Sequence, residues 1–433
     1  MSKIQQSLLP IKLEQSPERL TSLAGLVVVE ELARAKGLWR RVDELFPEPG
    51  SGRGYRASAY VRPLVWMLHA GGRRLEDVRE LQAEQEVLAH LGLKGLPSTD
   101  AMGDWLRRMG KSRGVAALGA LNRELIGSYL QAEPGEVTLD VDATILCAEK
   151  REAEWTYQKV KGYQPLLGYV NGVCVHHEFR AGNQGAGDGA VEFVAGCEEQ
   201  LPAGKKVYLR SDSALYQAAV VNHCFERGHR FTITADQDSA VKAAIRQIPE
   251  SDWNPYRTRE GMATDREIAE TVHCMNPTKQ SFRLIVVRWV NPQPSLFEAD
   301  VYCYHAVISN RGEAERASEV LWLHNQRGES ENWHKELKLA FGMEQMPCGQ
   351  LEANAVFFGI GVLAYNLSLV LKAQLLPAEY RHASVATLRW KLYRLAGKLV
   401  RHAGAWVLKV KTGSEQLALL LAVRQSCYEW SVT

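Results

Sequence analysis

Three acidic residues set far apart along the chain have the type and the surroundings to hold divalent cations. Asp142 follows Asp140 by two positions in Val137-Thr138-Leu139-Asp140-Val141-Asp142, so in an extended strand both carboxylates project from one face. Asp212 closes the apolar run Lys206 to Arg210 through Ser211. Glu331 belongs to a later segment, in which His324, Arg327, Glu331 and Lys338 are spaced by three, four and seven residues. On a helix these four fall within roughly 60° of one another, so one stripe carries an acid flanked by cations. Carboxylates brought together repel unless a cation binds between them, and arginine or lysine beside them would meet phosphate oxygens. That combination is what metal-dependent phosphoryl transfer needs. Plainer alternatives stand beside each part. Single aspartates often end strands at the surface, and Arg327 with Glu331 would make an intrahelical ion pair worth roughly 0.2–0.5 kcal/mol.

The elements around these residues give them a reason to meet. Val137, Leu139 and Val141 alternate with Thr138, Asp140 and Asp142, a strand with one apolar face. Leu166 to Val170, Asn171-Gly172 and Val173 to Phe179 form a hairpin around an Asn-Gly turn. A glycine-rich loop from Gly182 to Gly189 leads to a short helix at Val191 to Cys197. Then come a strand at Lys206 to Arg210, a helix at Ala214 to Phe225 and a strand at Arg230 to Thr234. Three strands, helix, strand, helix, strand resembles the order of an RNase H-like core, which lacks only one more helix. That helix arrives at about Gln326, after a strand-rich stretch that includes Phe282 to Val290 and Val301 to Ile308 and is expected to be an insertion. In this topology the first and fourth strands are neighbours, which would set the first-strand acids beside Asp212.

The motifs also resemble a known family. His324-x2-Arg327-x3-Glu331-x6-Lys338 is similar to the YREK signature of bacterial insertion-sequence DDE transposases, with His in the Tyr place, and Asn325-Gln326-Arg327-Gly328 looks like that family too. Asp142-Ala143-Thr144 resembles its first-Asp motif and Arg210-Ser211-Asp212-Ser213 its second, so the resemblance favours Asp142 over Asp140. It spans about Val137 to Leu371. It implies a cut-and-paste transposase in which Asp142, Asp212 and Glu331 bind two Mg²⁺ ions, with Mn²⁺ able to substitute. It further implies that Arg327, Lys338 and His324 contact DNA phosphates. The Tyr role passes to a His that titrates near neutrality. The implied partners are double-stranded DNA, as terminal inverted repeats and target, and a second copy of the chain on paired ends. The family often stacks a displaced base on an aromatic in the insertion; Trp253 and Trp289 lie there without a motif to select either, and a core position is the plainer reading of both.

The flanks carry less information. Residues 1–130 read as short helices, among them Ala57 to Ala70, Leu75 to Leu81, Gln85 to Leu91 and one starting at Pro97-Ser98-Thr99 that holds Asp104, Arg107 and Arg108. A DNA-binding helical domain or a plain bundle would both fit. The expected architecture is α/β: this helical domain, core residues 131–240, an insertion at 241–323, further core at 324–372, and a C-terminal helical segment at 373–433. That last segment includes Arg389, Lys391, Arg394, Lys398, Arg401, Lys409 and Lys411 interleaved with Trp390, Tyr393 and Trp406, and suits either DNA-backbone contact or a solvated amphipathic helix.

Composition excludes little else. The chain is 46% hydrophobic and 24% charged with a net charge of +2, so any basic surface is local. Eight cysteines without a CxxC pair argue against a disulfide scaffold and for a reduced cytosolic interior, and the family resemblance implies a cytoplasmic, nucleoid-associated location. Met1 to Pro10 lacks a signal-peptide core, and Ala355 to Leu371, though near membrane-spanning length, contains Gly359, Gly361, Asn366 and Ser368 and is expected to be a core helix with no membrane contact. Two other classes remain. One is a catalytically inactive transposase-derived regulator that only binds DNA. The other is a zinc hydrolase using Cys174, His176, His177, His223 and Cys224, whose spacings match no usual zinc motif.

Overall fold

The structure is a computed structural model that describes every residue except 1–10, 12, 51, 53, 91, 94, 134, 293–300 and 433. Met1 to Pro10, considered above for a leader, therefore lies outside the described residues, as does Leu91 at the end of one expected helix. The N-terminal part is helical. After the short strand β1 (Leu20–Thr21) come α1 (Val27–Ala35), α2 (Leu38–Leu45), α3 (Ser58–Ala70), α4 (Val78–Ala83), α5 (Gln85–His90), α6 (Thr99–Gly110) and α7 (Gly114–Gln131). Ser98 caps α6 as its position suggests, its hydroxyl accepting the Ala101 N–H at 3.2 Å.

The α/β part follows as β2 (Glu136–Ala143), β3 (Leu146–Cys147), β4 (Glu154–Trp155), β5 (Lys161–Tyr163), β6 (Leu166–Val170), β7 (Val173–Glu178), α8 (Ala190–Gln200), β8 (Lys206–Ser211), α9 (Ala218–Arg227), β9 (Arg230–Thr234) and α10 (Ser239–Arg246). Next come β10 (Asn254–Arg257), β11 (Ala263–His273), β12 (Phe282–Val290), β13 (Tyr302–Ser309), α11 (Ala317–Asn325), α12 (Glu329–Lys335) and α13 (Leu351–Gln374). The chain finishes with α14 (Val385–Leu388), β14 (Gly397–His402), β15 (Ala405–Val410) and α15 (Ser414–Val432).

One nine-stranded sheet runs β10-β11-β12-β13-β9-β8-β2-β6-β7. Within it, β2 is antiparallel to β6 and parallel to β8, and β8 is parallel to β9. The β6–β7 hairpin turns through Asn171 (φ 49°) and Gly172 (φ 85°), the paired left-handed conformations that an Asn-Gly turn supplies cheaply. The strand-rich stretch read as an insertion is continuous with this sheet. Its strand β13 pairs antiparallel with β9 through Val307↔Thr234, Ile308↔Ile233 and Ser309↔Thr232, so it extends the sheet sideways.

Helix α13 runs through the centre. It is the one described helix long and apolar enough to cross a membrane, but 89% of its most apolar window is buried inside the protein. It packs on α7, α6, α3 and β7. At Gly361 a Cβ would stand 1.9 Å from the Met343 sulfur, so the glycine marks a close approach of two segments. Asn366 is fully buried and satisfied: its amide donates to Asn122 Oδ1 (2.6 Å) and Cys174 O (2.8 Å), and its oxygen accepts Cys174 N–H (3.0 Å). This knot ties α7, α13 and β7 together. The apolar core is accordingly unbroken from Leu26 in the N-terminal helices through the sheet to Cys427 in α15.

The C-terminal segment departs from the helical expectation. Gly397–His402 and Ala405–Val410 form an antiparallel hairpin, turned by Ala403 (φ 47°) and Gly404 (φ 84°), to which β1 adds a third strand. Leu399 and Leu408, directly paired, share a face with Val410, which is period-two patterning. The regular spacing of cations along this stretch is compatible with a helix; the apolar alternation is the signal that decides.

Candidate active site

The parallel register of β2 and β8 sets the candidate acids side by side. Val141 pairs with Ser211, so Asp142 and Asp212, each the next residue, come side by side at the same end of the two strands, with Asp142 still paired to Leu167 of β6. Ser211 is fully buried and its hydroxyl donates to Val141 O at 3.1 Å, locking the two strand ends. Asp212 is half-buried and caps a short 3₁₀ turn, accepting the Ala214 N–H at 3.0 Å. Asp142 has a side chain only 14% exposed. Burial first, and then the Asp212 charge, push its carboxyl from the ordinary 3.8 up to about 6.

Asp140, two residues earlier on the same face, has a different fate. Arg210 donates Nε to its Oδ1 at 2.7 Å and Nη2 to its Oδ2 at 2.6 Å, a bidentate pair. Both residues are buried, and Arg210 Nη1 also donates to Leu323 O at 2.8 Å, fastening α11 to the sheet. Both Asp140 oxygens are thus engaged within the protein.

The late segment reaches the strand ends, though not as one regular helix. A 3₁₀ turn at Gln326–Gly328 separates α11 from α12, and a π-helical turn at Glu336–Ala340 follows. Arg327 Nη1 lies 3.9 Å from Asp142 Oδ2, and no Arg327–Glu331 ion pair forms among the described residues. Lys338 Nζ donates to Ile145 O at 2.8 Å and to Thr144 Oγ1 at 3.3 Å, just past the end of β2. The members of α12 that touch Asp142 are Ser330, whose hydroxyl donates to it at 3.3 Å, and His334, whose Nδ1 is 3.9 Å away. Neither was selected from the sequence, although both lie in the segment between Arg327 and Lys338. Burial, and then the Lys338 charge, pull the His334 imidazole down to about 4, so it is neutral at pH 7. Glu331 itself is exposed, one residue past Ser330.

Several other expected contacts sit elsewhere. His324 is 2% exposed, with Nε2 3.0 Å from Thr234 Oγ1. Its imidazole is pulled down to about 3 by burial and then by Arg327. It therefore neither titrates near neutrality nor presents a ring to phosphate, and its assignment as a DNA contact is withdrawn. In the C-terminal stretch Arg389 is a core cation, donating to Leu68 O, His69 O and Ala340 O at 2.6–2.9 Å, and Tyr393 is fully buried. Arg394 reaches Ala70 O at 3.3 Å, Lys398 pairs with Glu18 at 2.5 Å, and Arg401 is exposed near the hairpin tip. Trp253 is 9% exposed under the Arg288 guanidinium, and Trp289 is half-buried under Arg266.

Asp142 and Asp212 suit a divalent cation, because a cation between them would offset both the burial and the Asp212 charge that raise the Asp142 carboxyl. Among the described residues, however, no three His, Cys, Asp or Glu side chains stand close enough together to hold a metal ion. Glu331 would have to turn inward to complete a triad. Among the described residues, the Cys and His of the zinc-hydrolase alternative form no such group either. Cys174 is buried and His177 half-buried, with burial pushing the thiol up and pulling the imidazole down to about 3, and His223 is hydrogen-bonded to Glu198 at 2.6 Å.

Residues 5–425 match the family model described as transposase DDE domain group 1. The chain belongs to the DDE transposase family. The match covers nearly the whole sequence, so the N-terminal helices and the C-terminal hairpin fall within the family's extent along with the sheet. No curated protein matches the chain. The mixed α/β architecture, a large mixed sheet flanked by helices, is consistent with that family, whose members generally use divalent metals and act on DNA.

Proposed function

We propose that the protein binds the ends of its own mobile element, cleaves the DNA there by metal-dependent phosphoryl transfer, and joins the freed 3′-OH ends to target DNA. The observation that carries this reading is the side-by-side placement of Asp142 and Asp212 at the same end of β2 and β8, with Arg327 beside Asp142 and Lys338 just past the end of β2. Strands β2, β6, β7, β8 and β9 in the order β7-β6-β2-β8-β9, with β8 and β9 parallel to β2, support an RNase H-like core for that site.

Asp142, Asp212 and Glu331 are the proposed ligands of two Mg²⁺ ions, with Mn²⁺ as a substitute. Bound there, the cations would supply charge neutralisation at the scissile phosphate. Ser330 fixes the Asp142 carboxylate by its hydrogen bond. Arg327 and Lys338 offer cationic hydrogen-bond donors to phosphate oxygens. Lys398 and Arg401, on the C-terminal hairpin, and Arg394 near it, are proposed contacts to the DNA backbone, and two copies of the chain are proposed to act on paired ends.

The exposure of Glu331 favours one competing reading, a DNA-binding protein whose cleavage site is idle. A single assay separates the two. Purified protein is incubated with DNA carrying the element's own ends, with and without Mg²⁺ or Mn²⁺. Cation-dependent strand cleavage that disappears in Glu331→Gln, with end binding retained, supports the transposase. Binding without cleavage under every cation condition supports the regulator.

A further inference from the structure

Helix α12 forms one wall of a cavity of about 800 Å³ that none of the three candidate acids lines. Ser330 and His334 of that helix touch Asp142, whereas Trp333 and, just beyond the helix, Glu336 line the cavity, so the two places use different faces of one segment. Tyr129 of α7, Leu369 and Lys372 of α13, the Asn171-Gly172 turn and residues 381–384 make the other walls. These walls are pinned to one another. Tyr365 donates its hydroxyl to Gly172 O at 2.6 Å, Glu336 accepts the Val385 N–H at 2.6 Å, and Lys372 donates to Ala383 O at 2.9 Å. The cavity is therefore formed before any ligand arrives, at a size that suits a small molecule.

Lys372 is its unfinished part. The residue is 6% exposed, and its ammonium has three N–H donors. Among the described residues only Ala383 O accepts from it, and no carboxylate comes within ion-pair distance. Glu336 faces the same cavity, but one of its oxygens is taken by the Val385 N–H. Burial pulls the Lys372 ammonium below the usual lysine range, and the Glu336 charge opposes that shift only in part. A buried cation short of partners is costly until something completes it. Arg381 stands exposed on the same wall, also without a described ion pair. Lys335, Lys372 and Arg381 outnumber Glu329 and Glu336 there, so the wall carries excess positive charge.

An ammonium and a guanidinium fork together match the several oxygens of a phosphate group. Tyr129, Trp333 and Leu369 offer apolar surface to whatever organic part that phosphate carries. A phosphate within a duplex is flanked along a wide rod and cannot be brought to a buried ammonium, so the ligand is small. We infer that this cavity binds a phosphorylated small molecule, its phosphate on Lys372 and Arg381 and its organic part against Trp333 and Tyr129. The inference goes beyond the reading of the acids and needs no cleavage there.

Isothermal titration calorimetry of the full-length protein without divalent cations tests it. ADP is the probe, inorganic pyrophosphate the arm without an organic part, and citrate the carboxylate control. ADP is expected to bind, with pyrophosphate weaker and citrate weakest. Arg381→Ala and Lys372→Met should each weaken ADP about 10- to 150-fold, the loss of a hydrogen bond to a charged group. Arg401→Ala, on the C-terminal hairpin, should leave it unchanged. Lys372→Met also removes the bond to Ala383 O, so circular dichroism checks its fold; Arg381 is exposed, and its variant carries the test alone if Lys372→Met does not fold. Absence of ADP binding, citrate binding as tight as ADP, or displacement of ADP by a short DNA duplex would each overturn the site. So would ADP binding that Arg327→Ala abolishes and Arg381→Ala spares, which would move the ligand to the acids. Cleavage of the element's ends, assayed separately with Mg²⁺, bears on phosphoryl transfer alone, so either reading can fall while the other stands.

Discussion

Two aspartates on one face of one strand have been put to opposite uses. Asp140 sits a pleat below Asp142 and is matched by a bidentate arginine, its charge fully answered inside the protein. Asp142, at the strand's end, is answered by another carboxylate and by an arginine held 3.9 Å off. The lower level is complete without a ligand and serves to clamp β2, β8 and α11. The upper level is electrostatically incomplete, and its carboxyl resists ionisation because it is buried and then because Asp212 stands beside it. A site that is strained by itself and relieved by a cation is the arrangement expected of a metal-dependent centre.

The contrast can be broken by mutation. Asp142→Asn, Asp212→Asn and Glu331→Gln should each lower strand cleavage by at least about 10²–10³-fold, the size of losing one electrostatic stabiliser of a transition state. Asp142→Asn should at the same time leave thermal stability unchanged or higher, since it removes a like-charge contact. Wild-type cleavage rates in any of the three would remove that residue from the centre. The lower level should behave the other way round. Arg210→Met strands the Asp140 charge and is expected to cost about 3–5 kcal/mol in urea unfolding, much of it regained in the Asp140→Leu/Arg210→Met double variant. Equal stability of wild type and Arg210→Met would mean that the pair is not a clamp.

Acidity offers a gentler probe. The folded Asp142 carboxyl titrates near 6 against an ordinary 3.8, so the native state binds its proton more tightly than the unfolded chain does. The sign follows. Its contribution is most favourable below 3.8, declines as pH rises from 3.8 to about 6, and is lost above 6. Without divalent cations, wild type should therefore gain about 1 kcal/mol relative to Asp142→Asn between pH 7 and pH 5. Parallel pH profiles for the two proteins would refute this. The smallest effect belongs to the C-terminal hairpin. Arg401→Ala should reduce the slope of log affinity against log salt by about 0.9 if the hairpin contacts one phosphate there, with cleavage chemistry intact. An unchanged slope would take the hairpin tip off the DNA.

Much of this site was legible because its elements are local. The alternation around Asp142, the Asn171-Gly172 turn and the apolar run ending at Asp212 each state a strand, and strand order alone places the two acids together. The late stripe was legible only in part. A regular 100° step predicts Glu331 facing the acids, whereas the 3₁₀ turn at Gln326–Gly328 precedes a helix whose Ser330 and His334 face Asp142. His324 misled because its spacing says nothing about the pocket made by β9 and α11 that buries it. The hairpin at Gly397–Val410 was hidden by its cations, which recur at helix-like intervals while the apolar residues alternate. Charge spacing on a surface is weakly constrained; the buried face is where the period is enforced. Arg210, in turn, was quoted for its motif and shown only by coordinates to be the partner of Asp140.

The sideways growth of the sheet through β13 carries a mechanical consequence. A region hung on flexible connections could swing over a substrate and away again, but β10 to β13 are welded edge to edge onto the strand next to β8 by a ladder of backbone hydrogen bonds. If DNA were held on that flank, it would be indexed to the carboxylates at a set offset, like work clamped to the bed of a tool, and lengthening or shortening the plate would then move any cut.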